Sequence, residues 1–292
     1  MRYLAVRSGA TDTRLVWFLA GVAILGFLAL ALWALLRLWR AARRRRLRKA
    51  PFPPKWRDVL GRNVPMYNRM PEPLRAELER HINVFVAEKS FTGCGGLEMT
   101  DEIRVTVAAQ ACVLLLGRRA HYFPGFTTIY VYPTGYFADS RQDGMIEDQS
   151  RLGESWKGGP LVLSWCDALG GARDVRDGEN VVMHEFAHKL DEEDGEVDGA
   201  PLLESRARYT AWARALLPEY EKLVEKTRRH KRDVIDRYGA TNLPEFFAEL
   251  TVAFFEKPRQ LSKKHPELYE EVRAFYKVDP LEWQAPHAPG DG

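Results

Sequence analysis

At 292 residues and 46% hydrophobic, the chain has material for one substantial core with a small accessory piece. Its net charge of +3 is unevenly spread: eight cations crowd into residues 37–49 and the remainder is slightly acidic, which excludes a generally basic protein that coats nucleic acid. Cys94, Cys112 and Cys166, an odd number without paired spacing, exclude a disulfide framework or a zinc ribbon and read as reduced thiols of a cytosolic domain.

Residues 15–36 (LVWFLAGVAILGFLALALWALL) carry no charge, and about 20 such residues span the hydrocarbon core of a bilayer. Trp17, Trp33 and Trp39 stand near the ends, where indoles favour the membrane interface. The run is too long for a signal peptide and no small-residue cleavage site follows it, so a retained anchor is expected. Arg2, Arg7 and Arg14 precede it, whereas Arg37, Arg40, Arg43, Arg44, Arg45, Arg46, Arg48 and Lys49 follow it. The heavier positive flank belongs on the cytoplasmic side, leaving residues 1–14 as a short outer tail. Beside a span, such an arginine run sets topology, and no nucleic-acid partner is expected. Residues 37–55 form this flank and a Pro-rich stalk (Pro-Phe-Pro-Pro at 51–54), residues 56–280 a globular domain, and residues 281–292 a tail.

Within the domain, residues 72–89 read as an amphipathic helix with Leu74, Leu78, Ile82, Phe85 and Val86 on one face, and His81 as a partly exposed structural residue. Residues 91–96 (FTGCGG) form a glycine-rich turn that lacks the strand–turn–helix setting of a nucleotide site. Thr100 is the N-cap of a helix that runs to about Leu116 and stops at Gly117. Residues 128–132 and 161–165 are strand-like, and the second is placed to act as an edge strand for an extended substrate. A polar surface loop is expected at 139–159.

The chemistry concentrates in NVVMHEFAHKLD (180–191). His184 and His188, four apart on a helix, present two imidazoles to one ion, and Glu185 lies beside a water that such an ion holds. Val181, Val182, Met183, Phe186, Ala187 and Leu190 make the helix apolar on nearly every side, so it is expected to be buried. Burying unpaired polar groups costs roughly 2–7 kcal/mol each, and a metal removes that cost for the histidines. Two nitrogen ligands, an open position and a carboxylate base are what a zinc peptidase needs. An acidic turn (192–198) and a charge-laced helix from Ser205 to about Arg229 follow.

A catalytic zinc usually has a third protein ligand. Asp194 stands where another peptidase class places a histidine, but residue 191 is Asp rather than the glycine that pattern requires. Asp191 itself reads as a helix-end group supporting the ligands. In IDRYGATNLPEFFAE (235–249), Thr241 or Asn242 caps a helix with Pro244 in its first turn. Phe246, Phe247, Leu250 and Phe254 bury it, while Glu245 and Glu249 share another face, and spacing does not choose between them.

HEFAHKLD (184–191), GPLVLSW (159–165), DEIRVTVAAQAC (101–112) and the 235–249 segment together resemble the Mlc titration factor A family, bacterial zinc peptidases similar in fold to the catalytic domain of anthrax lethal factor. The similarity spans roughly residues 50–280. It implies an α+β, zincin-like metallopeptidase domain, mostly helical with a small mixed sheet; the charge-free run adds to this one N-terminal transmembrane helix, expected in the bacterial inner membrane. It further implies one Zn2+ held by His184, His188 and Glu245, with Glu185 as acid/base and Tyr238 assisting at the transition state; Glu249 and Asp191 are expected behind the ligands. A peptide or protein substrate follows. So does a second reading, a regulatory protein that sequesters a transcriptional repressor and hydrolyses secondarily.

Overall fold

The computed structural model describes residues 10–134 and 159–283. Apart from Gly159, the loop expected at 139–159 lies outside the described residues, as do residues 1–9 and 284–292 of the two expected tails. The chain divides into two units, Met1–Lys49 and Ala50–Gly292.

The first unit is one helix, α1 (Ala10–Lys49). Leucine, alanine and arginine are strong helix formers and no proline intervenes, so the basic run continues the apolar one without a break. From Leu15 onward it is long and apolar enough to cross a membrane, with a mean hydropathy of 2.6 in its most apolar window and none of that window buried.

In the second unit, Phe52 is buried edge-on against Trp56, and Pro53 and Pro54 open α2 (Pro54–Asn63) as N-cap and first residue. The segment read as a stalk is thus packed into the domain, because proline's fixed φ suits a first helical turn as well as a spacer. There follow α3 (Pro65–Arg69), α4 (Glu72–Glu88), β1 (Ser90–Gly93), α5 (Asp101–Val113), β2 (Thr128–Tyr132), β3 (Leu161–Ser164) and α6 (Trp165–Arg173). Then come α7 (Val181–Asp191), α8 (Arg206–Arg228), α9 (Leu243–Glu256), α10 (Pro258–Lys264) and α11 (Pro266–Tyr276). Short 3-10 turns occupy Glu192–Asp194, Arg237–Ala240 and Pro280–Trp283.

The domain is mostly helical, as expected, but its sheet is not mixed. Among the described residues three strands in the order β1-β2-β3 are all parallel, with Ser90 opposite Thr128 and Ile129 opposite Leu161. Parallel neighbours need crossovers instead of hairpins, and α5 lies in the first of these. The glycine-rich turn also begins as a strand: β1 ends at Gly93, where an added Cβ would stand 2.0 Å from the Leu97 carbonyl oxygen. Glycine there permits the chain to fold back on itself.

Thr100 caps α5 by accepting the Ile103 N–H at 3.3 Å, and α5 is buried along nearly its whole length. His81, expected to be partly exposed, is fully buried, because the Tyr122 hydroxyl (2.9 Å) and the Glu77 carboxylate (3.4 Å) satisfy its two ring nitrogens. Phe85, Phe123 and Phe186 pack edge to face and seat α7 against α4. Trp212, Phe247 and Phe275 do the same for α8, α9 and α11. Between these two aromatic clusters α7 lies against α9, and this helix pair carries the site.

Candidate metal centre

Asn180 starts α7: its side-chain oxygen accepts the Met183 N–H at 2.9 Å, and its amide donates to the Gly171 carbonyl and to Glu256. One turn along, His184 and His188 emerge on the same side with their Nε2 atoms 3.1 Å apart. Helix α9 begins likewise, with Asn242 rather than Thr241 as the cap, accepting the Glu245 N–H at 2.9 Å, and Pro244 in its first turn. Glu245 then points across at α7. Its Oε2 lies 3.0 Å from His184 Nε2 and 3.2 Å from His188 Nε2.

Three potential ligand atoms thus form a triangle with sides of 3.0–3.2 Å. Ligand atoms bonded at about 2.1 Å to one tetrahedral ion stand roughly 3.4 Å apart, so the triangle is close to one face of such a site. The hydrogen bonding points the same way. Two imidazole nitrogens face each other, and Glu245 Oε2, though buried and close to both, accepts no well-formed hydrogen bond. A divalent cation satisfies all three at once. His184, His188 and Glu245 are the one group of three or more among the described residues that can hold a metal in this way.

Electrostatics follow from these contacts. Burial alone would lower the His184 pKa, but the Glu245 and Glu249 carboxylates outweigh it and raise it to about 10. Burial would likewise raise Glu245, yet the two imidazoles bring it down to about 2. Glu249 stands 3.0 Å from His184 Nδ1, on the side of the ring away from Glu245. That is the usual place for a carboxylate that fixes a ligand's tautomer and ring orientation. The alternative left open between Glu245 and Glu249 is therefore resolved in space, one carboxylate facing each nitrogen of the same ring.

The other anticipated residues take distinct positions. Glu185 is half-buried, and its carboxylate makes no hydrogen bond among the described residues. Tyr238 sits on the 3-10 turn before α9, 46% exposed, its ring centroid 6.0 Å from that of His184. Burial, and then Glu245, Glu185 and Glu249, raise its pKa and keep the phenol protonated as a donor. Asp191 is fully buried outside the ligand triangle. Its Oδ2 accepts the Gly199 N–H at 2.9 Å, its Oδ1 has no hydrogen-bond partner among the described residues, and burial pushes it up to about 7.

Sequence reasoning missed the far end of the helix pair. Glu256, at the end of α9, accepts from the Asn180 amide at 3.0 Å and the Gly178 N–H at 3.1 Å, and burial pushes its pKa up to about 8. An asparagine directly before an apolar helix was the available clue to Asn180.

Comparison with known proteins agrees with this geometry. An uncharacterized protein of Synechocystis sp. is 39% identical over 83% of this chain and 90% of its own length. Mlc titration factor A of Serratia proteamaculans is 30% identical over 78% of this chain and 88% of its own length, and that of Escherichia fergusonii 29% identical over 78% and 87%. Residues 38–277 match the family described as glucose-regulated metallo-peptidase M90. With that match spanning most of the sequence, including both helices that frame the triangle, the chain belongs to the M90 metallopeptidase family.

Proposed function

We propose that the protein is a zinc-dependent peptidase whose metal is held by His184, His188 and Glu245. The observation that carries this reading is the triangle of two Nε2 atoms and one orphaned carboxylate oxygen, with Glu185 on the next residue of the same helix. A zinc ion held there would supply Lewis acidity and make an attacking water more acidic, from a pKa of about 15.7 toward about 7. Glu185, half-buried on the residue after His184, would accept a proton from an attacking water and return it to the leaving amine. Tyr238 donates its phenolic hydrogen to the oxygen on which charge develops. Glu249 holds the His184 ring, and buried Asp191 steadies the chain just past His188. As the edge strand of the described sheet, β3 offers main-chain groups to an extended substrate.

The same proposal places the enzyme at the bacterial inner membrane, with residues 15–36 as a single span and the catalytic domain in the cytoplasm. The apolar helix and the eight cations that follow it support that orientation. A second reading, binding of a transcriptional regulator with hydrolysis secondary, is favoured by the name of the Mlc titration factor A relatives.

Metal analysis and a peptide-library cleavage profile, with and without chelator, test the first reading. Glu185→Gln should retain zinc and lower kcat by about 10²–10⁴-fold, the usual contribution of a general base. Cleavage at the wild-type rate would remove Glu185 from the mechanism. Rescue of a deletion phenotype by the inactive Glu185→Gln protein would favour the binding role.

A further inference from the structure

Tyr238 is carried by residues 229–242, the connection between α8 and α9, and its usefulness depends on how firmly that connection is held. On its C-terminal side the restraint is contact with α9: a Cβ added to Gly239 would lie 3.3 Å from Glu249 Cβ and from Phe246 Cα. The N-terminal restraint is a buried ion cluster. Asp233 Oδ1 accepts from His265 Nε2 at 2.8 Å and from the Val234 N–H at 2.6 Å, and the Lys226 ammonium donates to Oδ2. The other ring nitrogen of His265 donates to Glu219 Oε2 at 2.6 Å, while Glu219 Oε1 accepts from Lys222 at 2.7 Å.

Both nitrogens of His265 face carboxylate oxygens, so the ring is an imidazolium; Asp233, with Glu219 beyond it, raises its pKa. The side chains of Asp233 and His265 are only 3% and 6% exposed. Between this grip and Tyr238 lie Val234 and Ile235, both buried, and Asp236, whose carboxylate accepts the Tyr238 N–H at 2.8 Å. The run from 233 to 238 therefore has little slack.

We infer that Asp233 and His265 are positioning residues for the reaction: they fix Tyr238 beside His184 while standing outside the metal triangle. The inference rests on the oxyanion role proposed for Tyr238. A purely structural ion cluster would instead lower stability without acting through that tyrosine.

A double-mutant cycle on the zinc-loaded full chain separates the two. Asp233→Asn keeps an oxygen for the Val234 N–H but removes the charge that His265 and Lys226 hold, and His265→Gln removes the imidazolium. Each should leave zinc content unchanged and KM within about twofold while lowering kcat roughly tenfold, the scale expected when a reacting group shifts by part of an ångström. On a Tyr238→Phe background the same substitutions should change kcat by less than about twofold, because nothing remains to position. Equal losses on both backgrounds, or no loss in a folded single variant, would overturn the inference and leave the oxyanion role intact. An unchanged kcat for Tyr238→Phe alone would overturn both. If either variant melts below the assay temperature, Lys226→Met takes its place; that side chain is 37% exposed and touches Asp233 from the solvent side.

Discussion

His184 and His265 look alike at first: each is a largely buried imidazole with a carboxylate oxygen within 3.0 Å of both ring nitrogens. The remaining neighbours differ. Around His265 the other carboxylate oxygens are taken by the Lys222 and Lys226 ammoniums, so one proton on the ring satisfies every group. Around His184 a second imidazole reaches the same oxygen, and Glu245 Oε2 is left without a well-formed hydrogen bond. A proton completes one cluster, whereas a divalent cation would complete the other. Two imidazoles converging on one acceptor, with no ammonium nearby among the described residues, thus mark the His184 cluster rather than the His265 cluster as the candidate for an ion.

The sharpest way to break the comparison is to truncate one carboxylate in each cluster. Glu245→Ala should remove stoichiometric zinc, and with it peptide hydrolysis, whereas Glu219→Ala should leave zinc content at the wild-type level; elemental analysis of the purified proteins decides. Retention of zinc by Glu245→Ala would move the third ligand elsewhere and sink the assignment. Glu249→Gln should act less severely, weakening zinc binding by about 10–100-fold through a mis-oriented His184, the usual cost of losing a carboxylate behind a ligand histidine.

Proton traffic sharpens the contrast further. His184 in the metal-free protein holds its proton up to about pH 10, yet a ligand imidazole must be neutral. Zinc binding near pH 8 should therefore release about one proton, read by calorimetry in buffers of different ionisation enthalpy. The sign for stability is the reverse of that for metal affinity. The folded pKa lies above the ordinary value of 6.5, so the metal-free domain gains stability from His184 below 6.5 and loses it as pH rises toward 10. Zinc affinity climbs over the same range.

These clusters also show where sequence reading succeeds and where it stops. The closeness of the His184 and His188 rings was legible because helical periodicity alone stacks residues four apart. Glu245 and Glu249 were legible as a pair but not as individuals, since both lie on one face of α9 and only its contact with α7 decides which nitrogen each meets. The His265 cluster was invisible: its partners lie 32 and 46 residues away and no local pattern joins them. The parallel sense of the sheet was hidden for a similar reason, because β1 is four residues ending in glycine and reads as a turn. Exposed tyrosines carry no periodic mark either, and Tyr238, whose ring lies near His184, was singled out through family resemblance alone.

The smallest expected effect lies at the end of α7 remote from the metal. Asn180 supplies one capping acceptor to the Met183 N–H and two donors, to Gly171 and Glu256, so its removal leaves a helix N–H without its cap and Glu256 with one partner fewer. Asn180→Ala should cost about 0.5–2 kcal/mol, the range for losing such a cap. For a domain of this size that is a fall in Tm of roughly 2–4 °C per kcal/mol. His184 and His188 keep their spacing because every hydrogen bond within the helix beyond its first turn survives, so kcat of the zinc-loaded variant should stay within about twofold of wild type. Asn180→Ser, which retains an acceptor oxygen, should recover most of the lost stability but not the bond to Glu256. A loss of zinc in Asn180→Ala as large as that in Glu245→Ala would mean that the α7 N-terminus, and not the α9 carboxylate, sets the geometry of the triangle.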